Sequence, residues 1–226
     1  MLEQLEAVVR RIGQTVVTAA ELSVTEKEGH ANFVTDMDVR VQRMLMEELS
    51  ALLPDAAFIC EEKENEKLSE GETWIVDPID GTTNLIHHYH HSALSVALLR
   101  NRKPVLACVY NPFTEELFSA EKGHGAWLNG KRIAVSHRPL DNALIGFGTA
   151  PYYEELSRAT MKIAYRLLHE AGDLRRSGSA ALDLAYVACG RMDAFFELRL
   201  KPWDIAAGAL LVIVGRMDIG SIASFL

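Results

Sequence analysis

Cysteine is scarce in this chain. Cys60, Cys108 and Cys189 are its three cysteines, widely separated and without a C-x-x-C pair. That argues against a disulfide framework or a zinc ribbon and points to a reducing compartment. Long apolar runs are also missing: the longest, around residues 92–99 and 206–214, fall well short of the ~20 residues that span a bilayer. At the amino terminus Leu2, Leu5, Val9, Ile12 and Val16 alternate with Glu3, Glu6, Arg10 and Arg11. This pattern predicts an amphipathic helix over residues 1–22 and not a signal peptide. The expectation is a cytoplasmic protein with no membrane partner. Positive charge is in deficit, with 23 Lys and Arg against 31 Asp and Glu for a net charge of −8. Nucleic-acid binders usually present a basic face, so nucleic acid is not the expected partner.

What is present is enough chain for a substantial core. A length of 226 residues suits one large domain or two joined halves, burying about 70% of the unfolded surface. The pattern predicts a second helix capped at Thr35 or Asp36, with Val39, Met44, Leu45, Leu49 and Leu52 on its apolar side and a stop at Pro54. A short buried strand, Ala57-Phe58-Ile59-Cys60, then delivers Glu61 and Glu62 to a charged loop over residues 63–71. Two apolar runs, 92–99 and 105–109, read as a hairpin or adjacent strands, and 116–120 as another strand. After Pro139 the texture becomes α/β: strand 143–147, helix 153–171, helix 179–189, strand 192–197 and a helix from Ile205 onward. The division is an N-terminal α+β part, residues 1–138, and a C-terminal α/β part, residues 139–226.

The chemistry concentrates in Trp74-Ile75-Val76-Asp77-Pro78-Ile79-Asp80-Gly81-Thr82-Thr83-Asn84. Trp74, Ile75 and Val76 favour a buried strand, whereas Pro78 has no N–H for a ladder and Gly81 permits positive φ, so the strand is expected to end near Asp77. Asp77 and Asp80 then stand three residues apart across a turn. Two carboxylates so close repel unless a cation lies between them, and a hard divalent ion such as Mg²⁺ suits oxygen ligands. The alternative is an Asx turn in which Asp77 caps the residues after it.

DPIDGTTN resembles the signature of the inositol monophosphatase family of Mg²⁺-dependent, lithium-sensitive phosphatases. Asp36-Met37-Asp38, Cys60-Glu61-Glu62 and Pro202-Trp203-Asp204-Ile205-Ala206-Ala207-Gly208 stand where that family carries its other metal-site motifs. The resemblance implies a mixed α/β (α+β) fold, the layered αβαβα sandwich shared with fructose-1,6-bisphosphatase. It also implies a phosphoric monoester hydrolase acting on inositol monophosphate, with two or three Mg²⁺ per site, in a homodimer. Glu61, Asp77 and the Ile79 carbonyl hold a first metal by this resemblance, and Asp77, Asp80 and Asp204 a second. Thr82 and Asp38 orient a metal-activated water, with Glu61 also catalytic. Gly81, Thr82, Thr83, Ala180 and Glu197 contact the substrate, Glu197 through inositol hydroxyls. Metal loading also reconciles an anionic substrate with a carboxylate-lined pocket, since roughly four negative charges meet +4 to +6.

Each residue has a plainer reading. Glu61 starts a solvated loop, Asp36 and Asp38 complement a helix dipole, Lys27, which stands where the family has a lysine near the site, is an exposed surface lysine, Asp204 is an N-cap and Glu197 a strand-end charge. The family usually has Gly where Cys60 stands, which puts the local turn in question. Gly178-Ser179-Ala180-Ala181 offers small residues and helix N-terminal amides that suit a sugar or phosphate. Two other patterns are decoys. His87, His88, His90 and His91 have helical spacings but no accompanying zinc motif. Gly125-Ala126-Trp127-Leu128-Asn129-Gly130-Lys131 has Walker A spacing, but Arg132 replaces the required Ser or Thr, and Asn129-Gly130 fits a hairpin turn. The family usually continues for further strands beyond this carboxy terminus. That leaves a non-catalytic binding or regulatory protein as one alternative; the other is a related substrate (sugar, nucleotide or histidinol phosphate), because sister families with similar motifs act on these.

Overall fold

The computed structural model describes residues 1–18, 22–27, 33–65, 68, 70–151 and 153–216. The chain stacks as helix, sheet, helix, sheet, helix. The outer helical layer is α1 (Leu2–Val17) and α2 (Asp36–Leu52). In α1 the buried Leu5, Val8, Val9, Ile12 and Val16 recur at helical spacing on one face, and the helix ends at Val17, earlier than the predicted 22. Ahead of α2 a small antiparallel ribbon joins β1 (Val24–Glu26) to β2 (Phe33–Thr35), two strands that the sequence pattern did not suggest.

The main sheet runs β3 (Ala57–Cys60), β4 (Glu72–Asp80), β5 (Ala93–Arg100), β6 (Lys103–Asn111), β7 (Glu116–Glu121), β8 (Gly125–Leu128), β9 (Lys131–Arg132) in spatial order. Strands β3 and β4 are parallel and every later pair is antiparallel. Both faces of this sheet are covered, so its strands read as near-continuous apolar runs. Period-two alternation sends Trp74, Val76, Leu94, Val96 and Cys108 toward α1 and α2. Ile75, Ala93, Ala97, Ala107 and Val109 face the opposite way. Asn129 and Gly130 both have positive φ (48° and 75°), as the two-residue hairpin between β8 and β9 requires, so the Walker-like spacing is a turn.

The other face is covered by α5 (Ala180–Ala188) and α6 (Pro202–Gly215). Small residues let them close: a Cβ on Gly208 would lie 2.5 Å from the Leu184 Cβ. Beyond α5 lies a parallel three-stranded sheet in the order β11 (Asp173–Arg175), β10 (Leu144–Phe147), β12 (Ala194–Phe196). Helix α4 (Glu154–Glu170) packs against β11. The expected layered sandwich is therefore observed. The division at residues 138 and 139 falls between β9 and a short 3₁₀ turn, Leu140–Asn142.

Strand β4 departs from expectation in an informative way. It does not stop near Asp77 but runs to Asp80, with Asp77 opposite Ser95 and Asp80 opposite Ala93. Three steps on β4 match two on β5, so one extra residue is bulged out, and Pro78 lies in that interval where no ladder N–H is needed. Residues three apart on a regular strand point to opposite faces. The bulge cancels that alternation, and both aspartates line one cleft.

Candidate active site

The cleft has a volume of about 520 Å³ and opens where the carboxyl end of β4 meets the amino ends of α3 (Thr82–Ile86), α5 and α6. Glu61, Asp77, Ile79, Asp80, Gly81, Thr82, Thr83, Ala180, Glu197 and Asp204 all line it. Of the residues singled out, Asp38 alone is absent from the wall: it is 1% exposed and stands behind Thr82.

Thr82 Oγ1 lies 2.9 Å from Asp38 Oδ1 and 3.1 Å from the Ile79 carbonyl oxygen, so its single proton serves one of the two acceptors at a time. Asp38 is fixed from the other side, where its Oδ2 accepts the Thr35 N–H at 2.7 Å and the Thr35 hydroxyl. The Thr35 hydroxyl in turn accepts the Asp38 N–H at 3.3 Å, completing a capping box at the start of α2. Asp38 is thus both a capping residue and the orienter of Thr82. Asp36 lies outside this arrangement, accepting the Ser23 N–H at 2.9 Å.

Asp77 is 2% exposed and its Oδ1 accepts the Ile79 N–H at 3.0 Å, so the Asx turn exists alongside the clustering. The neighbouring Glu61 carboxylate raises its hold on a proton. Lys27 is no free surface lysine: its Nζ lies 3.4 Å from Glu61 Oε1 and also pairs with Glu62. Cys60 does not crowd the site. It is fully buried in the α1/α2 core, and its backbone is held by Asn65, which accepts the Cys60 N–H at 2.8 Å and donates to its carbonyl at 2.6 Å.

The second half of the chain delivers its groups at helix starts. Asp80 Oδ2 accepts the Ser179 hydroxyl at 2.5 Å and the Ala181 N–H at 2.7 Å, tying β4 to the first turn of α5. Asn84 donates to the carbonyls of His91 (2.7 Å) and Ser177 (3.0 Å) across the same seam. Asp204 is not the N-cap: α6 begins at Pro202, and Asp204 sits on its first turn with Oδ2 accepting the Lys201 N–H at 2.6 Å. Gly81 has φ 89°, and a Cβ there would meet the His91 carbonyl at 3.0 Å, so this turn needs glycine.

These carboxylates hold protons unusually well. Burial pushes Glu61 up to about 7; Lys27 opposes the rise, while Glu62 and Asp38 add to it. Burial, then Glu61, Asp80 and Asp204, put Asp77 well above the usual carboxylate range. Burial raises Asp80 to about 6 against its hydrogen bonds from Ser179, Ala181 and Ala180. Burial likewise raises Asp204 to about 7 against the Lys201 amide, with Asp80, Glu61 and Glu197 adding to it. Among the described residues no three His, Cys, Asp or Glu side chains are already closed around one cation position. Of the histidines 87, 88, 90 and 91, His90 stacks on Phe113 with ring centroids 4.7 Å apart. Each of the four carboxylates is held by a protein donor: Lys27 for Glu61, the Ile79 amide for Asp77, Ser179 and the Ala181 amide for Asp80, and the Lys201 amide for Asp204.

Sequence reasoning missed several residues here. Asp183, 1% exposed, lines the cleft with an Oδ1 that has no partner among the described residues, and burial raises it to about 7 against the Ser177 hydroxyl. The available signal was one acid within the otherwise apolar Ala-Ala-Leu-Asp-Leu-Ala. Arg176, Arg199 and Lys201 supply cations to the rim, and nothing in their local spacing announces it.

The family model described as "Inositol monophosphatase family" matches residues 1–213. An inositol-1-monophosphatase of Rhizobium meliloti is 45% identical over 188 residues, 82% of this chain and 70% of that protein. A Nus factor SuhB of Xylella fastidiosa is 40% identical over 190 residues, 82% of this chain and 68% of that protein. The structure of the extragenic suppressor protein suhB from Bartonella henselae superposes with a TM-score of 0.88 at 35% identity, covering 94% of this chain and 84% of that one. An IMPase/NADP phosphatase complexed with Mg²⁺ and phosphate superposes with a TM-score of 0.82 at 27% identity, covering 94% and 82%. On the strength of the sequence match and the fold, with three of the four motifs lining one cleft and the fourth reaching it through Asp38 behind Thr82, the chain belongs to the inositol monophosphatase family.

Proposed function

We propose that the protein is a Mg²⁺-dependent phosphomonoesterase that releases phosphate from inositol monophosphate or a closely similar polyol phosphate. The observation that carries this reading is the convergence of Glu61, Asp77, Asp80 and Asp204 on one cleft beside the Thr82–Asp38 pair. Four carboxylates with raised proton affinity, Asp77 buried and the others partly buried, form an electrostatically unfavourable group in the absence of a cation, with Lys27 the cation in contact with them. The donor set, carboxylates plus the Ile79 carbonyl, is all oxygen, and it fits a hard divalent ion. Glu61, Asp77 and the Ile79 carbonyl would hold one Mg²⁺, and Asp77, Asp80 and Asp204 another. When bound, the metal supplies charge neutralisation of the phosphate and acidification of water.

The chain's own residues supply orientation. Asp38, locked by Thr35, accepts the Thr82 proton and leaves the Thr82 oxygen lone pairs to accept a hydrogen bond from the attacking water. The amides at the start of α5, around Ala180, and those after Gly81 at Thr82 and Thr83, favour an anionic phosphate. Glu197 offers its carboxylate to hydroxyls of the alcohol. A homodimer in the cytoplasm belongs to the same proposal; the three free cysteines accord with the setting, and sedimentation would test the dimer.

Relatives named Nus factor keep a second reading open, in which the fold serves as a partner-binding module. The intact carboxylate set favours the enzyme. The test is phosphate release from inositol 1-phosphate during a Mg²⁺ titration, with and without lithium. Mg²⁺-dependent, lithium-inhibited release is expected. Folded protein that releases phosphate from neither this ester nor a panel of sugar, nucleotide and histidinol phosphates would overturn the enzyme reading.

A further inference from the structure

We propose that Gly148 is a positioning residue that sets the substrate specificity of this cleft, because the Glu197 carboxylate occupies the space its side chain would take. This rests on the reading above of Glu197 as acceptor for hydroxyls of the alcohol.

Strands β10 and β12 are parallel neighbours with Phe147 opposite Phe196, and the Gly148 N–H extends the ladder by donating to the Phe196 carbonyl at 3.0 Å. Gly148 and Glu197 are therefore the next pair, at the point where both strands reach the cleft. A Cβ built on Gly148 falls on the carboxyl group of Glu197 itself, its nearest atoms being Oε2, Cδ and Oε1. Glu197 is held there by a hydrogen bond of 2.9 Å from the Ala150 N–H to Oε1. Ala150 is buried at φ 42°, a conformation uncommon outside glycine, so the loop is bent to present that amide. Among the described residues nothing donates to Oε2.

The obstacle to a side chain at 148 is the far end of a flexible glutamate and not backbone. The φ of Gly148 lies outside the left-handed region, so an alanine there strains nothing by itself. Gly148→Ala therefore folds and drives the carboxylate off the Ala150 amide. An ionised carboxylate accepts hydrogen bonds and donates none, so at this place it selects for hydroxyl donors and against a second phosphate. Displacing it shifts preference from polyol phosphates toward esters whose alcohol carries no neighbouring hydroxyl. The carboxylates proposed for the metal lie on other elements and stay in place.

The experiment compares wild type, Gly148→Ala, Glu197→Ala and the double variant on inositol 1-phosphate and p-nitrophenyl phosphate, alongside a crystal structure of Gly148→Ala. Losing one charged hydrogen bond to a hydroxyl lowers the ratio of kcat/KM for the two esters by about 10- to 100-fold in Gly148→Ala, chiefly through KM for the polyol ester. If both changes act through one carboxylate, the double variant loses no more than Glu197→Ala alone. An unchanged ratio, or losses that multiply in the double variant, overturns the proposal. Should wild type prove inactive on both esters, the failure belongs to the reading of the substrate and not to Gly148. The crystal structure still decides this inference: a Glu197 carboxylate found on the Ala150 amide in Gly148→Ala refutes it.

Discussion

Asp204→Asn separates a carboxylate kept for a cation from one kept to cap a helix, because the two roles predict stability changes of opposite sign. In the metal-free fold burial raises the Asp204 carboxyl from 3.8 to about 7. A carboxyl whose folded value exceeds its unfolded one binds its proton more tightly when folded, so its contribution to stability is present at low pH and lost as pH rises from 4 through 7. At pH 8 Asp204 is ionised among Asp80, Glu61 and Glu197. A shift of about 3 units corresponds to roughly 4 kcal/mol as an upper bound, and relaxation around a partly buried group leaves about 1–3 kcal/mol. Asparagine keeps an oxygen for the Lys201 amide and removes the charge. In EDTA at pH 8 the variant should therefore unfold about 2–10 °C higher than wild type, at about 2–4 °C per kcal/mol for a chain of this size. The gap should narrow as pH falls, to about a third of its size at pH 5, and close below pH 4. Mg²⁺ should raise the wild-type midpoint at pH 8 and do little at pH 5, where protons occupy the same oxygens. Mg²⁺-dependent hydrolysis by the variant should fall about 100-fold or more, since a neutral amide replaces a charged ligand. Calorimetry or melting by fluorescence reads the stability arm, and phosphate release the other. A variant less stable than wild type at pH 8 in EDTA would mean that the carboxylate serves mainly as a capping group, and the argument would fail.

Thr82→Val is close to isosteric and removes the hydrogen bond to Asp38 Oδ1, leaving Asp38 with its Thr35 donors. If Thr82 orients the attacking water, kcat falls by about 10²–10⁴ while KM changes little; steady-state kinetics showing the loss in KM alone would assign it to binding. Gly81→Ala, at φ 89° and against the His91 carbonyl, should cost about 1–3 kcal/mol. A denaturant midpoint equal to wild type would show that the turn has another conformation available.

Much of the site was legible because its groups are adjacent in the chain. Asp77, Ile79, Asp80, Gly81, Thr82 and Thr83 occupy one stretch, and strand-breaking Pro78 with left-handed Gly81 already implied that their side chains and carbonyls leave a sheet together. The detail was not legible: the strand continues to Asp80, and the aspartates share a cleft through a bulge whose register depends on β5. Lys27 illustrates the opposite limit. Its local sequence does not separate a surface charge from a lysine near the site, and only the β1–β2 ribbon places it on Glu61 and Glu62. Asp204 resembled an N-cap because short-range rules describe only its own helix, whereas its neighbours Asp80, Glu61 and Glu197 come from far earlier or across the cleft.

The sequence by itself determined the main elements and which of their faces are buried, because apolar periodicity is a property of neighbouring residues; the layered sandwich and the kind of chemistry followed from the resemblance of its motifs to the family. Tertiary structure alone decided which distant groups meet: Thr82 with Asp38, Asp80 with the first turn of α5, and Glu197 in the space left by Gly148. Those pairings follow from how two sheets and the helices between them pack, and no spacing along the chain encodes the close approach of residues 44, 99 or 49 positions apart.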